Sequence, residues 1–349
     1  MTGADFQLKF IGKHGPFRFE IGGSALVDSG KGTFALGTVF PQLFQGFCFV
    51  GVPDNGNCVL TTTSPLDTFD RHYAGYFYTH VDPAEWVSVT LGASVERLKT
   101  EVFEDTVVNP KVGFILKPFD GVALRGAYVH TLKRPYILDQ TIEPTALGGF
   151  NQFFDDEDGT RARMFAGGID LQPFDNFWLG GEVVHRKLET PLAVFNAGSG
   201  TFEGTEMRWR GYANATFFDA FAVSTGFEYT DVESDLVRRT GKITTTKVPV
   251  SVSYFHNSGA FANVTGTWLR QKITDTSNSG ASSSDSGFLM DFAVGYRLPN
   301  KRGVFSFEVQ NVFDKRLNIQ DETTFNARPL SDSVARERSF MARFTVPLN

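Results

Sequence analysis

The chain has 349 residues, a mass of 38.6 kDa and a formal net charge of -6, from 33 basic and 39 acidic residues. This mixed, mildly acidic balance gives no reason to expect nucleic acid as a partner, and no stretch approaches the roughly 20 apolar residues of a membrane helix. The outlying counts are Phe 36 and Gly 35; with abundant Thr, Ser and Val they point to β structure.

The opening, Met1-Thr2-Gly3-Ala4-Asp5, lacks the basic and apolar regions of a secretory signal. The chain is either cytosolic or a piece of a longer exported protein, and the pattern downstream favours the second. Strands are expected at 5–12, 16–27, 69–81, 85–99, 107–117, 121–132, 160–172, 176–189, 204–217, 220–231, 242–256, 259–274, 286–298, 302–316 and 335–348. Period-two alternation carries these assignments. Phe17, Phe19, Ile21 and Ala25 oppose Arg18, Glu20, Gly22 and Ser24. Val87, Val89, Leu91, Ala93 and Val95 oppose Ser88, Thr90, Gly92, Ser94 and Glu96. Near the end, Phe288, Met290, Phe292, Val294 and Tyr296 oppose Asp291, Ala293, Gly295 and Arg297.

Short turns rich in Pro, Asp, Gly and Asn, such as Lys117-Pro118-Phe119-Asp120-Gly121 and Gln172-Pro173-Phe174-Asp175-Asn176, alternate with longer polar segments at 28–68, 100–108, 131–160, 190–204, 231–242, 274–286 and 317–334. Such two-sided asymmetry is that of an up-and-down transmembrane barrel, with tight periplasmic turns and long extracellular loops. The expected strands, about 10–16 residues long, exceed the usual soluble strand and match a tilted membrane crossing. Aromatic residues gather at strand ends: Phe17, Trp86, Phe119, Phe174, Phe177, Trp178, Phe217, Phe218 and Phe221. Interfacial girdles produce that distribution; the alternative is an ordinary sandwich core.

Outer-membrane barrels carry even strand numbers, so fifteen strands leave one to find. Thr33–Phe40 and Gln45–Val52 are candidates for extra strands. The expected fold is therefore all-β: an antiparallel transmembrane barrel of about 16 strands (roughly 14–18), one domain over 1–349, or the C-terminal part of a larger barrel.

Specific residues then resemble a family. Val108-Asn109-Pro110-Lys111-Val112-Gly113-Phe114-Ile115-Leu116-Lys117-Pro118-Phe119-Asp120-Gly121 followed by Leu124-Arg125-Gly126-Ala127-Tyr128 is similar to a barrel segment of TonB-dependent outer-membrane receptors. Val309-Gln310-Asn311-Val312-Phe313-Asp314-Lys315 resembles that family's penultimate strand, and Ser339–Val346 its closing strand. The resemblance covers most of 85–349 and implies passage of a solute or polymer across the outer membrane. It implies outer-membrane lipid, lipopolysaccharide and the barrel-insertion machinery as partners, and a plug or periplasmic region in the parent chain. The family's plug and TonB box have no counterpart here, and its 22-stranded barrel exceeds this length. Asn151-Gln152-Phe153-Phe154-Asp155-Asp156 is also similar to receptor-like barrels joined to tetratricopeptide repeats in exopolysaccharide exporters, so import and export both stay open.

No catalytic constellation and no cofactor motif emerge; the six His residues show no ligand spacing. Candidate pore-lining residues on polar faces are Arg125, Glu182, Arg186, Arg208, Arg210, Glu228, Asp291, Arg297, Glu308 and Arg343, with Asn214 and Gln310 beside them. They either set selectivity or pair with one another. Phe150, Asn151, Phe153, Phe154, Asp155 and Asp156, in the loop at 131–160, are candidates for extracellular binding, against a solvated loop tip. Cys48 and Cys58 share one predicted extracellular loop; there a disulfide contributes on the order of 2–3 kcal/mol, the alternative being two free thiols. A soluble β-sandwich binding module is the competing class, separated from the barrel by detergent requirement.

Overall fold

The computed structural model describes residues 2–41, 52–54, 57–100, 103–135, 141–194, 198–235, 241–275, 282–320 and 337–347. In chain order the strands are β1 (Thr2–His14), β2 (Phe17–Pro41), β3 (Val52–Asp54), β4 (Asn57–Ala84), β5 (Val87–Lys99), β6 (Glu104–Phe119), β7 (Val122–Leu132), β8 (Ala146–Leu147) and β9 (Phe150–Asn151). There follow β10 (Arg161–Phe174), β11 (Phe177–Val194), β12 (Gly198–Phe217), β13 (Phe221–Ser234), β14 (Gly241–Phe255), β15 (Ala260–Asp275), β16 (Ser282–Arg297), β17 (Val304–Gln310) and β18 (Ser339–Thr345). One antiparallel sheet runs β1-β2-β4-β5-β6-β7-β10 and then in order to β18, with β3 added on β4; β8 and β9 form a separate small ribbon. Along this path every strand is bonded to its neighbours in the chain order, and the path begins at β1 and ends at β18.

All fifteen expected strands are present, several of them longer than expected. Thr33–Phe40 is the continuation of β2, paired with the early part of β4 from Pro65 to Cys58, rather than a strand of its own. Gln45 to Gly51 lies outside the described residues. Of the segment 190–204, residues up to Val194 likewise belong to β11 and those from Gly198 to β12, whose pairing runs out to Val194 opposite Gly198. In the sequence, Gly30-Lys31-Gly32 of β2 and Pro191 of β11 interrupt the alternation, which is why these extensions do not stand out in it. In the opposite direction, β17 stops at Gln310. Asn311 and Asp314 take positive φ, and the Asn311 side chain accepts from Lys315 N while donating to Lys315 O, both at 2.9 Å. The Val309–Lys315 motif is therefore a strand end and turn.

The two faces of the sheet differ in kind. One is bare and apolar: Phe77, Leu91, Val95, Val108, Phe114, Phe165, Trp209, Phe227, Phe288, Phe292, Phe305 and Phe307 are all exposed. The other is polar yet covered: Glu20, His72, Ser94, Glu96, Asn109, Lys111, Arg186, Glu206, Thr230 and Gln271 are buried. A water-soluble sheet has the reverse arrangement, whereas a lipid-facing barrel has this one. At the rim of short turns, Trp86, Phe119, Phe174 and Phe218 stand exposed beside the strand ends, forming one aromatic girdle.

Candidate functional site

The inner face is covered by segments of two long connections. The first lies between β7 and β10. From Thr141 to Asp156 the chain turns inward and crosses the wall: Ile142 N donates to Gln7 Oε1 on β1 at 2.9 Å, Leu147 and Phe150 are buried against Tyr76, Tyr78, Ala127, Val129 and Met164, and Phe154 packs there with Ala166 and Val184. Missing side chains allow this approach. A Cβ on Gly113 of β6 would overlap the backbone of Leu147 and Gly148, and one on Gly148 would overlap the carbonyl of Gly126. Gly148 also has φ +55°, a region costly for other residues.

Polar anchors hold the segment at three heights. Lys111 Nζ donates to Glu143 Oε1 at 2.6 Å and to Tyr78 Oη at 2.9 Å, with side chains 1% and 9% exposed. Gln152 Nε2 reaches Tyr78 Oη at 3.2 Å and also donates to Pro144 O. Arg125 stacks on Phe150, 4.8 Å from its ring centre, and Arg186 on Phe154 at 3.7 Å. Arg186 completes its fork with Glu206 at 2.6 Å and with Asp156.

The second segment follows the β17 turn. Leu317 is fully buried and fills the space beside Gly287. Gln271 and Gln320 bond reciprocally, Gln320 N to Gln271 Oε1 at 2.7 Å and Gln271 Nε2 to Gln320 O at 2.9 Å. Asn318 N donates to Asp285 at 2.7 Å.

Five of the sequence-derived wall candidates meet. Arg125 bonds Asp170 at 2.6 Å and Glu182 at 3.3 Å; Glu182 also takes Arg210 at 3.3 Å; Arg208 joins Arg186 on Glu206 at 2.8 Å. Arg125–Asp170, Glu182–Arg210 and Arg186–Glu206 join neighbouring strands, Arg125–Glu182 reaches across β10, and Arg208–Glu206 lies within β12. Tyr212 adds a 2.7 Å hydrogen bond to Asp170. Glu228 stands opposite Arg210 and Lys247 in register. Asp291 accepts from Asn311 N at 2.8 Å, and Glu308 accepts from Ser306 at 3.4 Å. Arg297 sits at the short-turn rim, its backbone N on Gly259 O, and Arg343 lies opposite Ser306 on the outermost strand.

Of the loop candidates, Phe150 and Phe154 face inward as described, Phe153 lies 5.8 Å from Lys111 Nζ, Asn151 is exposed and bonds its own turn at Phe153, and Asp155 is exposed, 3.9 Å from Lys133. Cys48 and the side chain of Cys58 fall outside the described residues. Of the strongest buried anchors, Tyr78, Glu96, Lys111 and Glu143 are not among the candidates, while Gln152 lies within the loop motif already singled out. Alternation alone places Glu96, Asn109 and Lys111 on the polar face, and that signal was available. Glu96 takes His72 at 3.1 Å, Ser94 at 2.8 Å and Asn109 at 2.7 Å. His80 also faces inward, between Glu20 at 3.4 Å and Thr90 at 3.0 Å.

No protein-family model matches the sequence, and no curated protein does. Solved structures do. The FrpB iron transporter from Neisseria meningitidis matches with a TM-score of 0.69 at 11% identity, over 99% of this chain and 55% of that one. FpvA from P. aeruginosa, bound to heterologous pyoverdines, matches at 0.62 and 14% identity, over 99% and 48%. The siderophore receptor PirA from Acinetobacter baumannii matches at 0.62 and 13% identity, over 99% and 54%. The chain spans about half the length of the structures it matches. It has the antiparallel β-barrel fold of TonB-dependent outer-membrane receptors.

Proposed function

We propose that this chain forms barrel wall in a bacterial outer membrane and passes a small polar solute, with the segment 141–156 setting the aperture. One observation carries the reading: a polar, ion-paired face is covered by infolded loop while the phenylalanine face is bare. The solved neighbours include an iron transporter and siderophore receptors, which supports solute uptake over polymer passage. An open sheet edge is not tolerated against lipid, because each unpaired backbone group costs several kcal/mol there. In the membrane β1 and β18 therefore pair, either with each other or with further strands.

Conductance in planar bilayers tests the aperture. Gly148→Val places a branched side chain against the carbonyl of Gly126 and expels the segment. The expected result is a low conductance for the unaltered chain and a severalfold rise for the variant. Equal conductance, with both proteins showing the heat-dependent gel shift of a folded barrel, would remove the segment from this role.

A further inference from the structure

A recess of about 550 Å³ lies at the rim of tight turns, and its lining includes no residue of 141–156. Two backbone hydrogen bonds tie the turns that frame it, Lys117 N to Trp86 O and Gln172 N to Gly121 O, both at 2.7 Å. Gly121 has φ +71°, and a Cβ there would overlap the Gln172 carbonyl, so the second tie requires glycine. Deeper along the wall, Asp170, Gly180 and Tyr212 stand in register on β10, β11 and β12. A Cβ on Gly180 would overlap the Tyr212 ring. Its absence lets the ring lean across β11 and donate to Asp170 at 2.7 Å.

The lining combines rings with surplus negative charge. Trp86, Trp178 and Tyr212 supply aromatic surface, and the carboxylates of Glu85, Asp120 and Asp170 outnumber the one cation, Lys117. Asp170 is engaged by Arg125 and Tyr212. Glu85 and Asp120 have no ion-pair partner among the described residues, so their charge is left for a ligand. Resting on the reading of this chain as solute-passing wall, we infer that the recess binds a small organic cation with a ring-bearing body, at the tight-turn end of its path. Indole and phenol faces attract a cation, carboxylates in a concave wall add to that attraction, and the volume suits a small molecule. A neutral ring gains the stacking alone, and an anion is repelled.

The test uses the full chain folded in non-ionic detergent. Trp209 and Trp268, exposed on the outer face, are replaced by Phe in every sample, leaving Trp86 and Trp178 of the four tryptophans to report. Three soluble probes of similar size differ in charge: 1-methylnicotinamide is a cation, nicotinamide is neutral and nicotinate is an anion. Saturable quenching of fluorescence is expected with 1-methylnicotinamide, at the lowest concentration of the three. The double variant Glu85→Gln, Asp120→Asn should bind it about tenfold more weakly, and Lys117→Gln about threefold more tightly. Those opposite signs separate charge recognition from stacking on exposed rings. Unchanged affinity in the double variant overturns the site, and nicotinate binding as tightly as 1-methylnicotinamide overturns the ligand class. The heat-dependent gel shift reports folding, and the conductance of Gly148→Val reports the aperture, so failure of the solute-passing reading is distinguished from failure of the site.

Discussion

Lys111 shows how one side chain ties wall to loop. Its ammonium and the Glu143 carboxylate are both removed from water, so removing one partner strands a buried charge, which costs about 3–5 kcal/mol. The segment 141–156 is held by a handful of such anchors, whereas the sheet is held by a ladder on every strand. The cost therefore falls on the segment. Lys111→Met is expected to free it, seen as faster chymotrypsin cleavage after Phe150 and Phe153 with the barrel intact; replacing both Lys111 and Glu143 by Met should restore protection, because a matched apolar pair is often neutral. Unchanged cleavage in the single variant would show that the ion pair is not the anchor. Glu104 permits a second check at this scale. It sits beyond the outward apolar series that begins at Val108, and hydrogen bonds from Lys99 and Arg97 hold its carboxyl down at about 2, against an ordinary 4.5. A carboxyl depressed on folding contributes above its ordinary value and ceases to do so as pH falls through the depressed one. The contact should thus persist through mild acid, with a carbon-13 carboxyl midpoint near 2. A midpoint at the ordinary value would mean that Glu104 is free of both cations.

At the scale of the element, alternation decides the faces. Phe227, near the middle of β13, is exposed on the outer face. Phe227→Arg should cost about 2–4 kcal/mol in refolding into vesicles, the penalty for Arg at the bilayer midplane, whereas a change of similar size confined to water would cost little. The same alternation made the fifteen strands legible from sequence, since it is local and survives without knowledge of partners. It stopped short at β2 beyond Ser29 and β11 beyond Glu189, which continue as paired strands where Gly30, Gly32 and Pro191 break the period in the sequence. It also could not reveal the infolded segment. That contact depends on two glycines, Gly113 and Gly148, which meet only after β6 and β7 have paired. Phe153 and Phe154 were legible as residues needing cover, but the cations over them, Lys111 and Arg186, lie on other strands. The wall charges were legible as a polar face; which carboxylate each arginine takes depends on cross-strand register.

For the whole molecule, orientation follows from the two rims. The turns within successive hairpins, such as Phe174 to Phe177 and Phe255 to Ala260, lie at one end of the sheet, and the connections between hairpins, such as Leu132 to Arg161 and Gln310 to Ser339, at the other. An epitope inserted between Ser234 and Gly241 should be labelled on intact cells, while one inserted between His256 and Gly259 should be reached only after the outer membrane is opened. Labelling of the second site on intact cells would invert the barrel. The purified chain should also stay monodisperse only with detergent, since the outer face exposes far more apolar surface than a soluble protein tolerates.

The neighbour-to-neighbour pairing along the sheet bears on how such a wall changes over generations. Loss of a single strand reverses the direction of all that follow, sending tight turns to the wrong side of the membrane. Loss or duplication of a complete hairpin leaves direction, face and rim unchanged, because no strand outside it depended on a distant partner. Heritable change in circumference should therefore accumulate in twos, and the hairpin, rather than the strand, is the unit on which descent can act.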